Sequence, residues 1–222
     1  MNGMEAKLGP DHPDALTVKD NLALIYLGQK RFDESEKLEL HVMKARKAKL
    51  GSDHPDTLAA MTHLASMYGG QQKWDKAEKL YLEVINTMKL KPGSDHPDSL
   101  TVMDCLALLY RKQGRLDEAE HMYMDVMNAR KEKLGLDHLD TLSTMGNLAL
   151  TFESQGKWDE AQSLLSPTVQ TMQQVLGSQH PDTLSAIENL SNICKRRQDQ
   201  VQLGKMVYHT IQLKFLSNLF FA

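Results

Sequence analysis

Five tetrads hold the residues most able to do chemistry: Asp11-His12-Pro13-Asp14, Asp53-His54-Pro55-Asp56, Asp95-His96-Pro97-Asp98, Asp137-His138-Leu139-Asp140 and Gln179-His180-Pro181-Asp182. A histidine flanked by carboxylates is a metal-ligand set by residue type, since both groups bind divalent ions at about 2 Å. Each tetrad has only one histidine, however, and packed helices stand roughly 8–10 Å apart, too far for tetrads to share an ion. The tetrad reads instead as a helix start, with Asp53 as N-cap, Asp56 completing an acidic capping box and Pro55 tolerated in a first turn whose N–H groups lack partners. Gln155-Gly156-Lys157 is like the end of a phosphate loop, but Thr151 stands where the first glycine belongs and Trp158 replaces Ser or Thr. No HExxH, GxSxG or GxGxxG occurs. No catalytic residue, metal or cofactor is therefore expected.

The tetrads recur every 42 residues without insertion or deletion, the mark of a stacked array in which each unit buries its apolar face against its neighbours. Within the second unit Met61, Leu64, Ala65 and Tyr68 line one face of a helix A. Gly69-Gly70 and the polar run to Lys73 break the pattern, and Trp74, Ala77, Leu80, Tyr81, Val84 and Ile85 form the face of a helix B. Gly9, Gly51, Gly93, Gly135 and Gly177 lie two residues before each capping position, where helix B must stop. The predicted fold is all-α, an α-α superhelical solenoid of antiparallel helix pairs.

Composition agrees with a globular chain: of 222 residues, 41% are hydrophobic and 25% charged. A net charge of -3 with mixed signs gives no basic footprint for nucleic acid. Cys105 and Cys194 lie inside predicted helices, which favours a reducing compartment over a disulfide scaffold. No basic-then-apolar leader opens the sequence, and Phe215 to Ala222 is too short to span a bilayer. A soluble, cytoplasmic protein without nucleic-acid or membrane partners is expected.

These residues resemble the tetratricopeptide repeat. Its signature appears as Met103-x2-Leu106-Ala107-x2-Tyr110 with Ala119-x3-Tyr123, and as Met145-x2-Leu148-Ala149-x2-Phe152 with Ala161-x3-Leu165. The 42-residue period, the LG-x-DHPD junction, Asn147-Leu148-Ala149 and the Q-G-K-W-D-E-A run make it similar to the kinesin light chain subclass, and to the C-terminal repeats of fungal NLR-like signalling ATPases. The chain departs from the signature in its first position, Met for Trp, in the placement of the closing proline, and in Cys194 where an aromatic is usual. The resemblance covers roughly 5 to 197. It divides the chain into residues 1–10, the tail of a preceding helix B, a repeat array over 11–197, and a degenerate capping helix with an apolar tail over 198–222. The unpaired tail at Glu5 to Gly9 suggests a start inside a longer array.

The resemblance implies a scaffold that binds an extended peptide or partner protein in a concave groove. The alternative it implies is a ligand-sensing or oligomerisation segment of a larger signalling ATPase. The groove residues it points to are Asn21, His63, Cys105, Asn147 and Asn189, one per unit, whose amides could serve a peptide backbone; the competing reading is that they bond between adjacent helices. Arg111, Lys112, Lys195, Arg196 and Arg197 lie beside them and suit acidic groups on a ligand, or simply the negative helix end. The row Asp20, Thr62, Asp104, Gly146 and Glu188 stands where chaperone-binding relatives clamp a terminal carboxylate, and its acids are expected to repel one. Met61, Met103 and Met145 read as core filler. Leu203, Val207, Ile211 and Phe215 keep helical spacing, and the apolar end is expected to pack on the last repeat or on a second copy.

Overall fold

A computed structural model describes Gly9, residues 11–89 and residues 97–220, with backbone alone for Pro97 and 203–220. Among the described residues there are nine helices and no strand. They are α1 Pro13–Gly28, α2 Phe32–Leu50, α3 Pro55–Gly70, α4 Trp74–Lys89, α5 Pro97–Gln113, α6 Leu116–Leu134, α7 Leu139–Ser154, α8 Trp158–Val175 and α9 Pro181–Phe220. The chain forms two compact units, Met1–Met122 and Tyr123–Ala222. In the first, α1 packs on α2, α2 on α3, α3 on α4 and α4 on α5; in the second, α7 packs on α8 and α8 on α9. The helix pairs of the 42-residue period are thus those expected. The boundary drawn at 197/198 falls inside α9, which runs unbroken through it. The tail before Gly9, the Asp95-His96 half of the third tetrad and the contacts of the apolar C-terminus lie outside the described residues.

The tetrad starts helix A, but the cap is its histidine. His12, His54, His138 and His180 each present Nδ1 to the backbone N–H of the aspartate two residues on, at 3.3, 3.2, 3.2 and 3.2 Å. Asp53, expected as N-cap, stands one residue before the cap, since extended backbone at His54 (φ -69, ψ 138) is what turns the chain into α3. The residue that follows each tetrad in the sequence faces inward: Ala15, Thr57, Ser99, Thr141 and Thr183 are all buried. Thr57 donates to the Gly51 carbonyl (2.8 Å) and Thr183 to that of Met172 (3.4 Å), tying the first turn of helix A to the end of the preceding helix B.

Helix A ends differently from the reading of Gly69-Gly70 as a breaker. Both glycines belong to α3, and Gly69 is buried because a Cβ there would stand 3.0 Å from Leu109 Cδ1 of α5. The chain reverses at residue 72, where Gln72 has φ 59, and at the same register at Lys30 (φ 60), Gly114 (φ 80) and Gly156 (φ 76). The following N–H reaches back to an aromatic carbonyl each time, Arg31 to Tyr26, Lys73 to Tyr68, Arg115 to Tyr110 and Lys157 to Phe152, at 2.9 to 3.0 Å. This is a Schellman closure, which favours glycine at the left-handed residue. Gln72→Gly is accordingly expected to raise stability by about 0.5–1 kcal/mol, measurable as a higher urea midpoint at unchanged slope.

The interior is apolar where the signature demands it. In the second unit Leu142, Ala149, Ala161, Leu165, Val169, Met172, Ala186 and Ile193 form one buried cluster joining α7, α8 and α9. Each large side chain so buried contributes about 1.5–3 kcal/mol. Met61 is core, as expected of the methionines, whereas Met103 and Met145 are half-buried.

Candidate functional site

In the second unit, helices A of successive repeats stand side by side in contact as α7 and α9. The 3.6-residue period places Leu139, Ser143, Gly146, Asn147 and Leu150 along one stripe of α7, and Asp182, Ser185, Ala186 and Asn189 along one stripe of α9. Between the stripes opens a groove of about 300 Å³ floored by Leu165 and Met172 of α8 and by Leu176 at its C-cap. Asn147 and Asn189 are half-buried in its walls. Each amide brings two donors and an acceptor to a surface otherwise apolar or hydroxyl-bearing apart from Asp182, the combination that binds a peptide backbone and its alternate side chains.

The first unit carries a different arrangement. Asp20 of α1 is buried, with Oδ2 accepting from Arg46 Nη1 of α2 at 2.8 Å and Oδ1 3.0 Å from His63 Nδ1 of α3. Arg46, also buried, donates to the Asp56 carbonyl at 3.3 Å as well. Glu39 of α2 is 1% exposed; no donor meets either of its carboxyl oxygens, and its polar neighbour is the Asp20 carboxylate. Burial first, and the neighbouring Asp20 charge second, push its carboxyl up to about 8. Burial alone would raise Asp20 too, but hydrogen bonds from His63 and Arg46 together outweigh it and hold Asp20 below the usual range. His63 is raised by its bond to Asp20, against the effect of burial.

The tetratricopeptide repeat profile matches at 14–90, 56–132, 98–166 and 140–202, which together cover most of the chain. The chain belongs to the tetratricopeptide repeat family. As such it is a repeat protein of a class that serves generally as non-catalytic protein-interaction scaffolds. Its structure is similar to the TPR-like repeats of Podosopora anserina assigned to a kinesin light chain, at 25% identity and TM-score 0.72, covering 89% of this chain and 93% of that one in a single-substitution variant. The unsubstituted crystal structure matches equally, at TM-score 0.72 and 25% identity over 88% and 93%. BtubC (BKLC) from P. vanneervenii shares the fold at TM-score 0.64 and 20% identity, over 77% of this chain and 68% of that one. No curated protein matches the chain. Among the described residues of this tetratricopeptide array, no helix is long and apolar enough to cross a membrane.

The residues predicted for a tetratricopeptide groove separate by unit. Asn147 and Asn189 line one groove. In the first unit Asn21 is exposed, Cys105 is half-buried and outside any disulfide, and His63 is engaged with Asp20, so His63 does not stand as an open donor. Arg111 is half-buried and Lys112 exposed. Beyond Asn189, Lys195 is exposed, while Arg196 lies 3.4 Å from Glu153 with its guanidinium over the Trp158 ring, and Arg197 pairs with Asp159. The charged group in the groove wall itself is Asp182. In the row expected to repel a carboxylate, Asp20 cannot act so, because Arg46 and His63 absorb its charge. Thr62 donates to its own helix at Leu58, and Glu188 alone of the second unit's two members is an exposed acid, Gly146 having no side chain.

Two recurrent contacts had not been anticipated. Tyr68 and Lys73 both hold Glu36 of the preceding repeat, at 3.0 and 2.8 Å, and Tyr110 with Arg115 holds Glu78 at 3.0 and 2.7 Å. In both, burial and then the glutamate bond push the tyrosine up to about 12. The cation also lies over the tyrosine ring, 4.0 Å away for Arg115 on Tyr110. The equal spacing from Glu36 to Tyr68 and from Glu78 to Tyr110 is the signal that marks this latch in the sequence.

Proposed function

We propose that the chain binds an extended peptide segment of a partner protein, and that the groove between α7 and α9 is one of its binding surfaces. The observation that carries this reading is the pair of half-buried amides, Asn147 and Asn189, set over an apolar floor. Backbone groups of an extended ligand would satisfy the amides while every second side chain enters toward Leu165 and Met172. The likeness to repeats assigned to a kinesin light chain supports a scaffold that connects proteins.

A peptide selected from a displayed library on the intact protein supplies the test. Asn147→Ala with Asn189→Ala is expected to weaken its binding about 30-fold, from two lost hydrogen-bonding amides, while Tm moves by less than about 2 °C. Unchanged affinity, or weakening matched by loss of stability, would show that the amides serve helix packing.

A further inference from the structure

Repeat 1 breaks the pattern of its own array inside the fold. Position 39 is glutamate where the other repeats have Tyr81, Tyr123 and Leu165, and all four are buried. Position 35 is serine in place of Ala77, Ala119 and Ala161, and position 19 is lysine in place of Met61, Met103 and Met145. An apolar interior was available to this repeat, as its neighbours demonstrate. A buried carboxyl that meets no donor and stands against a second carboxylate is a costly substitute for an aromatic ring, and it calls for a ligand.

We propose that Asp20, Glu39 and His63 form a binding site for a divalent transition-metal ion, with zinc the ion its ligands suit best. One ligand atom from each lies within 4.8 Å of the others, and the three come from three successive helices, α1, α2 and α3. Imidazole with two carboxylates is a nitrogen-oxygen set of the kind zinc accepts in tetrahedral geometry. Bonds of about 2.0–2.2 Å set ligand atoms roughly 3.3–3.5 Å apart, so the widest pair must close by about an ångström. Asp20 and His63 are already 3.0 Å apart. Side-chain rotation of Glu39, to which no donor is bonded, supplies the movement. The His63 side chain is 37% exposed, so the cluster has an opening to solvent for ion entry and for a water as fourth ligand.

Charge and orientation favour the ion over an empty cluster. Two carboxylates balance a divalent cation, which would take the position of the Asp20–His63 hydrogen bond. Arg46 remains on Asp20 Oδ2, the oxygen not facing His63, and fixes that carboxylate from behind as outer partners do for metal ligands. The tetrad histidines are outside this site, with their Nδ1 atoms occupied by helix capping.

The experiment uses the full chain, freed of metal by chelation and dialysis, and titrates it with Zn²⁺ by calorimetry and with Co²⁺ by visible absorption. Wild type is expected to take one equivalent with micromolar or tighter affinity, to show the ligand-field band of four-coordinate Co²⁺, and to gain about 5 °C or more in Tm at saturating Zn²⁺. Glu39→Gln, which keeps the shape, and Glu39→Tyr, which restores the residue of the neighbouring repeats, should keep wild-type helicity and lose the band and the Tm gain. His63→Asn should lose them as well. Absence of a saturable equivalent in wild type, or a band and Tm gain that persist in these folded variants, would overturn the site and assign any bound ion to surface His–Asp pairs.

Discussion

Arg46→Met should lower the stability of the first unit by about 3–5 kcal/mol, read as a shifted urea midpoint in the metal-free protein. The side chains of Arg46 and Asp20 are only 10% and 11% exposed, and their 2.8 Å contact is the cation that keeps Asp20 charged in the interior. Methionine fills the space but leaves a buried carboxylate without its guanidinium, held by a single bond to His63 beside the Glu39 carboxyl. The loss should be largely recovered in the double variant Asp20→Thr, Arg46→Met, which installs the residues of the next repeat, Thr62 and Met88. A buried ion pair is worth little against well-packed neutral residues, yet breaking one half of it is expensive. The coupling between the two sites is therefore expected to exceed about 2 kcal/mol. Additive effects, or a single variant within about 1 kcal/mol of wild type, would mean that water reaches Asp20 and screens it.

The same comparison explains what the sequence made legible. Strict spacing of the tetrads was enough to place the pairs α1–α2, α3–α4 and α7–α8, because a helix–turn–helix unit of fixed length leaves the apolar stripes of α3, α4, α7 and α8 only one way to meet. Local chemistry was harder to assign. Asp53 and His54 both belong to good candidates for a cap, and only the extended backbone at His54 decides between them. Gly69 looked like a breaker but is a contact residue for Leu109, a property of the neighbouring repeat and not of its own helix. Asn147 and Asn189, one repeat apart in the sequence, line the same groove. The groove was not legible at His63, whose partner Asp20 lies one repeat earlier. That pairing nevertheless leaves a trace across repeats. Aspartate at 20 and 104 accompanies arginine at 46 and 130, whereas Thr62 and Gly146 accompany Met88 and Met172. An alternation with twice the repeat length means that the repeats are not interchangeable inside, and reading each repeat singly cannot reveal it.

In metal-free buffer with chelator, stability should peak at mildly acidic pH and fall toward alkaline pH, with Glu39 the main cause. Its carboxyl is raised from an ordinary 4.5 to about 8 in the folded chain. Between those values the folded state keeps a proton that the unfolded state has released, so each rise in pH favours unfolding. His63 acts in the same sense: raised by its bond to Asp20, it contributes stability that is complete below its ordinary 6.5 and disappears as pH passes through the folded value. Asp20 acts oppositely, since a carboxyl held below 3.8 contributes stability above that pH and loses it in acid. The three together put the maximum between about pH 4 and pH 6. Wild-type Tm is expected to drop by about 5 °C or more from about pH 5.5 to about pH 8.5, and Glu39→Gln to flatten that slope. At the acidic end the amide has no proton penalty to relieve, and the variant should match wild type or fall slightly below it; at the alkaline end it should be the more stable protein. The crossing of the two curves is the diagnostic feature, because a variant that merely repacked the interior would shift Tm by the same amount at every pH. Parallel curves would place an ionised, solvated Glu39 in the folded protein.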